Sequence, residues 1–391
     1  GLLTILLSDY ISLWSFGDTD YSFYYKLIGL AVFFTIINAG REAVFQGMRK
    51  FKFITLNTSL TSFISLIISV PLIYLFKING IVYAILSSAI IGFIISSIYI
   101  KKIEYTNINH TDLLSKKTFN IIQLGLSMMV VSVLVTLSGY IIRAYIQKSG
   151  GLDDVGFFQA GFQIISGYFG IILSSMVVDY FPRISAINND NIQVEKEVNQ
   201  QGILTLLLIL PLVVILQFLA PYIIPFLYSY EFLTTIEYVN IAIFGIIFQS
   251  GSQTMGMVLL AKNESKLFVI SVTVFQSVFL IFNILGYKYY GILGLGFTFT
   301  LNMIIHFIMV QIYNRFLYKI SYNVLYYKFL IVTLAFSIIA FLFKDFAPLI
   351  KWSSFFVLTI TSIYFSVSNL MKLMKINSII ELIKSKINGQ N

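Results

Sequence analysis

The chain is expected to be an all-α, polytopic membrane protein, with two parallel-repeat helical lobes, two extra C-terminal helices and a truncated N-terminus. Three observations require this. Of 391 residues, 58% are hydrophobic and only 11% charged, where a soluble domain carries about 25% charged residues; too little polar surface remains to cover a water-exposed globule, and mean hydropathy is +0.87. The apolar residues gather into runs of about 20, the length that crosses roughly 30 Å of hydrocarbon. Short clusters of Lys and Arg separate those runs, which is how membrane topology is encoded.

Taken in order, the runs give twelve spans. The chain opens with Gly1 inside an apolar stretch, so 1–16 reads as the second half of a spanning helix whose start is missing. Spans 25–46, 54–76 and 79–100 follow, the second interrupted by Pro71. Residues 101–118 form a polar loop between the lobes. Span 119–146 comes next, then 155–181, which stops at Pro182, and 202–223, which contains Pro211. Spans 236–261, 265–286 and 290–314 complete the second lobe. The last two, 326–344 and 351–371, are additional. Beyond them Ile376, Ile379, Ile380, Ile383 and Ile387 mark one face of a short helix with Lys375, Lys384 and Lys386 elsewhere, the pattern of an interfacial helix. The organisation is therefore 1–110 for an incomplete N-lobe, 111–318 for the C-lobe and 319–391 for two further helices and an amphipathic tail.

Alternating the spans places 18 Lys and Arg residues on one side and six on the other, with Arg41 and Arg143 inside spans. The richer side is the cytoplasmic one. An internal repeat supports the even division. Lys77-Ile78-Asn79-Gly80 resembles Lys288-Tyr289-Tyr290-Gly291, and Asp9-Tyr10-Ile11 resembles Pro221-Tyr222-Ile223, at offsets of 211 and 212 residues. About six helices fill that offset, so the two lobes run parallel.

Composition also removes function classes. The net charge of +9 suggests phosphate backbones, but the basic residues sit in topology-setting clusters, so no nucleic-acid partner is expected. Cysteine is absent and only two histidines occur, which argues against a metal site. No Walker sequence, nucleophile elbow or His-Glu-x-x-His motif is present, so no catalytic residue and no cofactor are assigned.

The informative residues are polar groups within spans, which are costly in hydrocarbon and tend to face a cavity. In 25–46, Thr35, Asn38, Glu42 and Gln46 make one stripe, with Arg41 beside it; the stripe faces a wet cavity, or Arg41 and Glu42 snorkel to the nearby helix end. In 119–146, Ser132, Thr136, Gly139 and Arg143 share a face. In 155–181, Gln159, Gln163, Ser166, Gly170 and Ser174 form a second stripe, suited to a cavity or to close helix packing. Asp179 stands near the end of that span. Asn302 and His306 lie one turn apart in 290–314. Candidate substrate-binding residues are Arg41, Arg143, Gln159 and Gln163. Glu42 and Asp179 are candidates for ion coupling.

Several segments together resemble a known family. Asp153-Asp154-Val155-Gly156-Phe157-Phe158-Gln159 is similar to the acidic-Val-Gly-aromatic-aromatic-Gln motif of Wzx-type flippases, with Arg143 at the position of that family's upstream arginine. Asp179-Tyr180-Phe181-Pro182-Arg183-Ile184-Ser185, Phe16-Gly17-Asp18-Thr19-Asp20-Tyr21, Gln46-Gly47-Met48-Arg49-Lys50-Phe51 and Leu260-Ala261-Lys262 continue the likeness to about residue 316. The resemblance implies the multidrug/oligosaccharidyl-lipid/polysaccharide exporter superfamily, with two six-helix lobes and alternating access in a bacterial inner membrane. It further implies a non-enzymatic flippase that carries undecaprenyl-diphosphate-linked oligosaccharide, such as an O-antigen unit, from the cytoplasmic to the periplasmic leaflet. Its partners would be that lipid-linked oligosaccharide, membrane lipids, and polysaccharide polymerase and chain-length proteins. The alternatives are a small-molecule or drug/cation antiporter and a peptidoglycan-precursor flippase of the same superfamily, or, outside it, a membrane scaffold or glycan polymerase.

Overall fold

A long apolar segment in lipid satisfies its backbone groups internally only as a helix or a closed barrel. In a computed structural model, which describes residues 1–16, 18–48, 50–103 and 116–374, the chain takes the first solution, and no strand occurs among the described residues. The interfacial tail at 376–387, Gly17, Arg49 and most of the loop between the lobes lie outside them.

The described helices fall into two units. The first holds α1 (Leu2–Leu6), α2 (Ser8–Phe16), α3 (Ser22–Gly47), α4 (Phe51–Phe76) and α5 (Ile78–Ile100). The second holds α6 (Lys116–Gly150), α7 (Leu152–Phe162), α8 (Phe169–Ala186), α9 (Asn191–Leu227), α10 (Thr235–Ala261), α11 (Ser265–Tyr318), α12 (Val324–Phe343) and α13 (Pro348–Met374). Among the described residues, ten helical segments are long and apolar enough to cross a membrane. The count matches the twelve spans once α1–α2 is added and α11 is divided. Its 54 residues are not one rod, because Gly291 has φ 57° and ψ −139° and breaks it between 265–286 and 290–314.

That break identifies the repeat and corrects its register. In the first unit the same backbone state occurs at Lys77, with φ 52° and ψ −128°, between α4 and α5. Three residues later comes a glycine in each case. A Cβ on Gly80 would lie 2.3 Å from the Leu72 carbonyl oxygen, and one on Gly294 would lie 2.0 Å from that of Gly286. Lys77 therefore corresponds to Gly291, not to Lys288, and the offset is 214 residues rather than 211. Helix ends agree: Gly47 with Ala261, Phe51 with Ser265 and Phe76 with Tyr290. Sliding a helix by three residues nearly restores its face, which is why the Lys-x-x-Gly likeness was persuasive one turn out of place.

Within the second unit α9 is the central helix, buried along most of its length and packed by α10, α12 and α13. Its 37 residues exceed what the hydrocarbon needs, and Asp190 caps the polar start by accepting from the Ile192 and Gln193 amides at 3.0 and 3.1 Å. Those hydrogen bonds hold the Asp190 carboxyl below the usual carboxylate range. Three turns meet at this end. Lys262 donates to the Asn188 carbonyl and Asn191 Oδ1, Asn191 donates to the Tyr318 carbonyl at 3.0 Å, and Glu195 accepts from the Ser321 amide at 2.9 Å. Since α9–α10 and α11 each leave this end and return to it, each crosses twice, as the charge alternation requires.

The span 152–186 is not a uniform helix. Residues Gln163–Tyr168 form a π-helical stretch between α7 and α8. Its wider turns rotate everything after it, so the stripe read from Gln159 to Ser174 is interrupted.

Candidate functional site

The second unit holds two adjoining, partly open cavities of about 310 and 220 Å³, which share Val135, Gln249, Phe275, Gln276 and Met303. Helix α6 closes one side with Val131, Val135, Gly139 and Arg143; α10 and α11 supply Ser252, Gln253, Ser271 and His306, and α7 supplies Phe158 and Phe162. The lining thus combines amides, hydroxyls, aromatic rings and one guanidinium.

Arg143 is positioned from two sides. Its Nε donates to Gln159 Oε1 at 2.7 Å, and a Cβ on Gly139 would stand 3.2 Å from its Nη1. The glycine one turn back leaves room for the guanidinium to lie along α6. Among the described residues no carboxylate pairs with it. It is half-buried on the cavity wall with donors to spare.

The acidic-Val-Gly-aromatic-aromatic-Gln segment explains how Gln159 is held. Asp153 and Asp154 stand in the first turn of α7, where carboxylates complement the helix dipole, and Tyr287 donates to Asp154. Phe157 packs edge-on against Phe232 at 5.5 Å and Phe158 against Tyr238 at 5.7 Å. Thr235 donates to the Phe157 carbonyl at 3.1 Å. These contacts lock α7 to α10 and aim Gln159 at Arg143. Gln163 is not brought to the cavity; it is exposed and lies over Gly167.

At the far end of α8, Tyr180 is buried and donates to the Thr254 carbonyl at 3.2 Å. Arg183 reaches Asp179 at 3.1 Å and Glu197 at 2.7 Å, and donates to Gln201 at 3.1 Å. Asp179 therefore has an internal cation, and its side chain is 58% exposed. Lys262, from another of the motifs, closes the turn between α8 and α9 and stands over the Tyr318 ring. Desolvation pulls its ammonium below the usual lysine range, with Asp190 opposing. His306 packs against Phe275 with ring centroids 4.3 Å apart and planes tilted by 36°, and Asn302 is fully buried with neither side-chain atom partnered among the described residues.

In the first unit the two neighbours on α3 turn to different helices. Arg41 Nη1 donates to the Phe93 carbonyl at 3.0 Å, Ser96 Oγ at 3.1 Å and Ser97 Oγ at 2.6 Å, and its guanidinium lies 4.4 Å over the Phe93 ring. Glu42 instead accepts from Asn57 Nδ2 at 2.6 Å and from Asn38 Nδ2 at 3.4 Å, and Asn57 also donates to Asn38 Oδ1 at 3.1 Å. Beside this cluster is a groove of about 600 Å³ lined by Thr35, Asn38, Thr61, Ser62, Ser65, Ser69 and Gly92 among others.

The 214-residue offset relates this groove to the cavities of the second unit. Thr35, Asn38, Thr61, Ser62, Ser65 and Gly92 correspond to Gln249, Ser252, Phe275, Gln276, Phe279 and His306, all of which line the second unit's cavities. Sequence reasoning missed Asn57, Thr61, Gln249 and Gln276. Each stands among other polar residues of its span, such as Thr58 and Ser62 in α4 or Ser250 and Gln253 in α10, so spacing did not single it out.

Comparison with known proteins gives a consistent set. A family model described as "polysaccharide biosynthesis protein" matches residues 1–237. A Shigella flexneri protein named "putative O-antigen transporter" is 21% identical over 323 residues, which is 80% of this chain and 76% of that protein. A mutant of the Vibrio cholerae MATE transporter VcmN superposes with a TM-score of 0.67 at 16% identity, covering 83% of this chain and 76% of that one. The lipid II flippase MurJ in an inward closed conformation gives 0.59 at 19% identity, with 90% and 73% covered.

Proposed function

The chain belongs to the polysaccharide biosynthesis protein family, and from that premise we propose that it is a non-enzymatic flippase in a bacterial inner membrane. Its cargo is an undecaprenyl-diphosphate-linked oligosaccharide, turned from the cytoplasmic to the periplasmic leaflet by alternating access. The polymerase and chain-length proteins that act on the exported unit are the expected partners.

The observation that carries this reading is the Arg143–Gln159 pair on the cavity wall. An arginine without a carboxylate partner among the described residues is costly at membrane depth unless an anion visits it. Its planar fork matches the oxygens of a diphosphate, which a lysine point charge does not reproduce. Around it, Gln249, Gln253 and Gln276 offer amide donors and acceptors, and Phe158, Phe275 and Phe299 offer flat apolar faces. That mixture suits sugar rings, which present hydroxyls at their edges and C–H groups on their faces. It suits a hydrophobic organic cation less well, because Arg143 would repel one. Glu42, held by neutral amides only, is the group to which we assign ion coupling.

Replacing Arg143 with Ala is expected to lower surface polysaccharide at least tenfold in a strain that depends on this chain, with the protein's membrane level unchanged. Arg143→Lys should not restore export. Normal polysaccharide in the Ala variant would remove the cavity from the transport path.

A further inference from the structure

We propose that the larger cavity of the second unit is a sugar subsite, holding the sugar next to the diphosphate on its cytoplasmic side and accepting only an uncharged one. The inference rests on the flippase reading and names what lies beyond the diphosphate.

The two cavities are stacked along the membrane normal, and four helical segments agree on their order. Helix α6 starts on the basic, cytoplasmic side; it lends Arg143 to the smaller cavity and Val131 to the larger. Twelve residues separate the two, about 18 Å at 1.5 Å per residue. Helix α10 runs the other way, giving Gln249 to both cavities and then Gln253 and Gly256 to the larger alone. In the rising half of α11, Phe268 and Ser271 line only the larger cavity and Phe279 only the smaller. In the returning half, Phe299 lines only the smaller, and His306 and Tyr313 only the larger. Arg143 therefore stands toward the outer side, and the larger chamber extends from there toward the cytoplasm.

This inner chamber is polar without being acidic or rich in cations. Gln253, Gln276, His306 and Tyr313 line it, and among the described residues none of them makes a side-chain hydrogen bond. Gln249 stands where the two cavities meet, its Oε1 buried and without a partner among the described residues. A buried acceptor left alone is costly, so the arrangement suits a guest that brings hydroxyls. Phe268 and Phe275 add apolar faces. A sugar ring meets both demands, with O–H groups at its edge and C–H groups on its faces.

Charge narrows the class. Neither a carboxylate nor a lysine lines either cavity, and the diphosphate engages Arg143. A sugar carboxylate would lie at membrane depth with no cation of its own, which is costly. The volume of about 310 Å³ is at the lower end for small-molecule sites. It holds the sugars nearest the diphosphate, and the rest of the glycan extends past Tyr313. A head bound this way keeps the polarity it had in the cytoplasmic leaflet, with the diphosphate leading and the sugar trailing. By the 214-residue offset, Gln253 and His306 correspond to Ala39 and Gly92, so the first unit has no second copy of this pair.

The test is equilibrium binding of three probes to the purified full-length protein: a short polyprenyl diphosphate carrying no sugar, N-acetylglucosamine or glucuronic acid. The N-acetylglucosamine probe should bind roughly tenfold more tightly than the bare diphosphate. The glucuronic acid probe should bind no more tightly than the bare one. Gln253→Leu and His306→Leu should each remove most of the sugar's advantage, with bare-probe affinity and the melting temperature of the free protein unchanged. Arg143→Ala should weaken all three. Equal affinity for the bare and N-acetylglucosamine probes in the wild type overturns the sugar subsite and leaves the flippase reading standing. Loss of bare-probe binding in Gln253→Leu overturns the order, because the diphosphate would then occupy the inner chamber. Preference for the glucuronic acid probe overturns the uncharged class. If the wild type binds none of the three, the flippase reading falls with the subsite.

Discussion

Two arginines lie inside apolar spans, and their neighbours separate their roles. Arg41 has its Nη1 committed to α5 and its plane on Phe93, so its work is to join α3 to α5. Arg143 has one neutral partner and a cavity in front of it. Hydrogen bonds to a charged donor contribute about 1.5–3 kcal/mol each at full strength. Arg41→Lys cannot keep the fork and the ring contact together, and is expected to destabilise the protein by about 1–3 kcal/mol, seen as a lower melting temperature in detergent. Arg143→Lys should leave that temperature unchanged. If the two responses were reversed, Arg41 would be the ligand residue and Arg143 the structural one. The sequence alone set both residues in one class, because depth within a span is legible from spacing and the partner across a helix interface is not. Arg41 meets Ser96 and Ser97 from 55 and 56 residues away. For the same reason Glu42 was recognisable as a costly charge, while Asn57, which fixes its geometry, looked like one more polar residue in α4.

The helices themselves were largely legible, since a run of about 20 apolar residues between basic clusters has few other uses. What the pattern could not carry were departures from helical regularity. The π-helical stretch at Gln163–Tyr168 obeys no residue rule in this sequence. The joints in the two units are the other departure. Lys77 and Gly291 share a backbone state that an L side chain adopts only with strain, of order 1–3 kcal/mol, and Gly291 adopts freely. Lys77→Gly should therefore stabilise the protein by about 1 kcal/mol, a rise of a degree or two in melting temperature. Gly291→Ala should destabilise it by about 1–3 kcal/mol. Opposite signs from the two exchanges would establish that the joints are equivalent. A loss of stability in Lys77→Gly would show that the Lys77 side chain, not the backbone, is what the first joint needs.

At the scale of the whole chain, the repeat has kept its frame and divided its chemistry. Offset by 214 residues, α10 and α11 correspond to α3, α4 and α5, yet the first unit places a carboxylate among amides and hydroxyls where the second places glutamines and aromatic rings. A duplicated site used for one ligand would retain like residues at like positions. Here Glu42 answers to Gly256 and Gly92 to His306, so each unit lacks the titratable group that the other has. On the proposed function, ion coupling falls to Glu42 in the first unit and the anionic, sugar-bearing head to Arg143 in the second. The two losses should therefore be separable. In Glu42→Gln a lipid-linked diphosphate oligosaccharide is expected still to protect the protein against thermal unfolding. Arg143→Ala should lose most of that protection, and each variant alone should stop export. Loss of protection in both variants would remove the basis for assigning separate tasks to the two units.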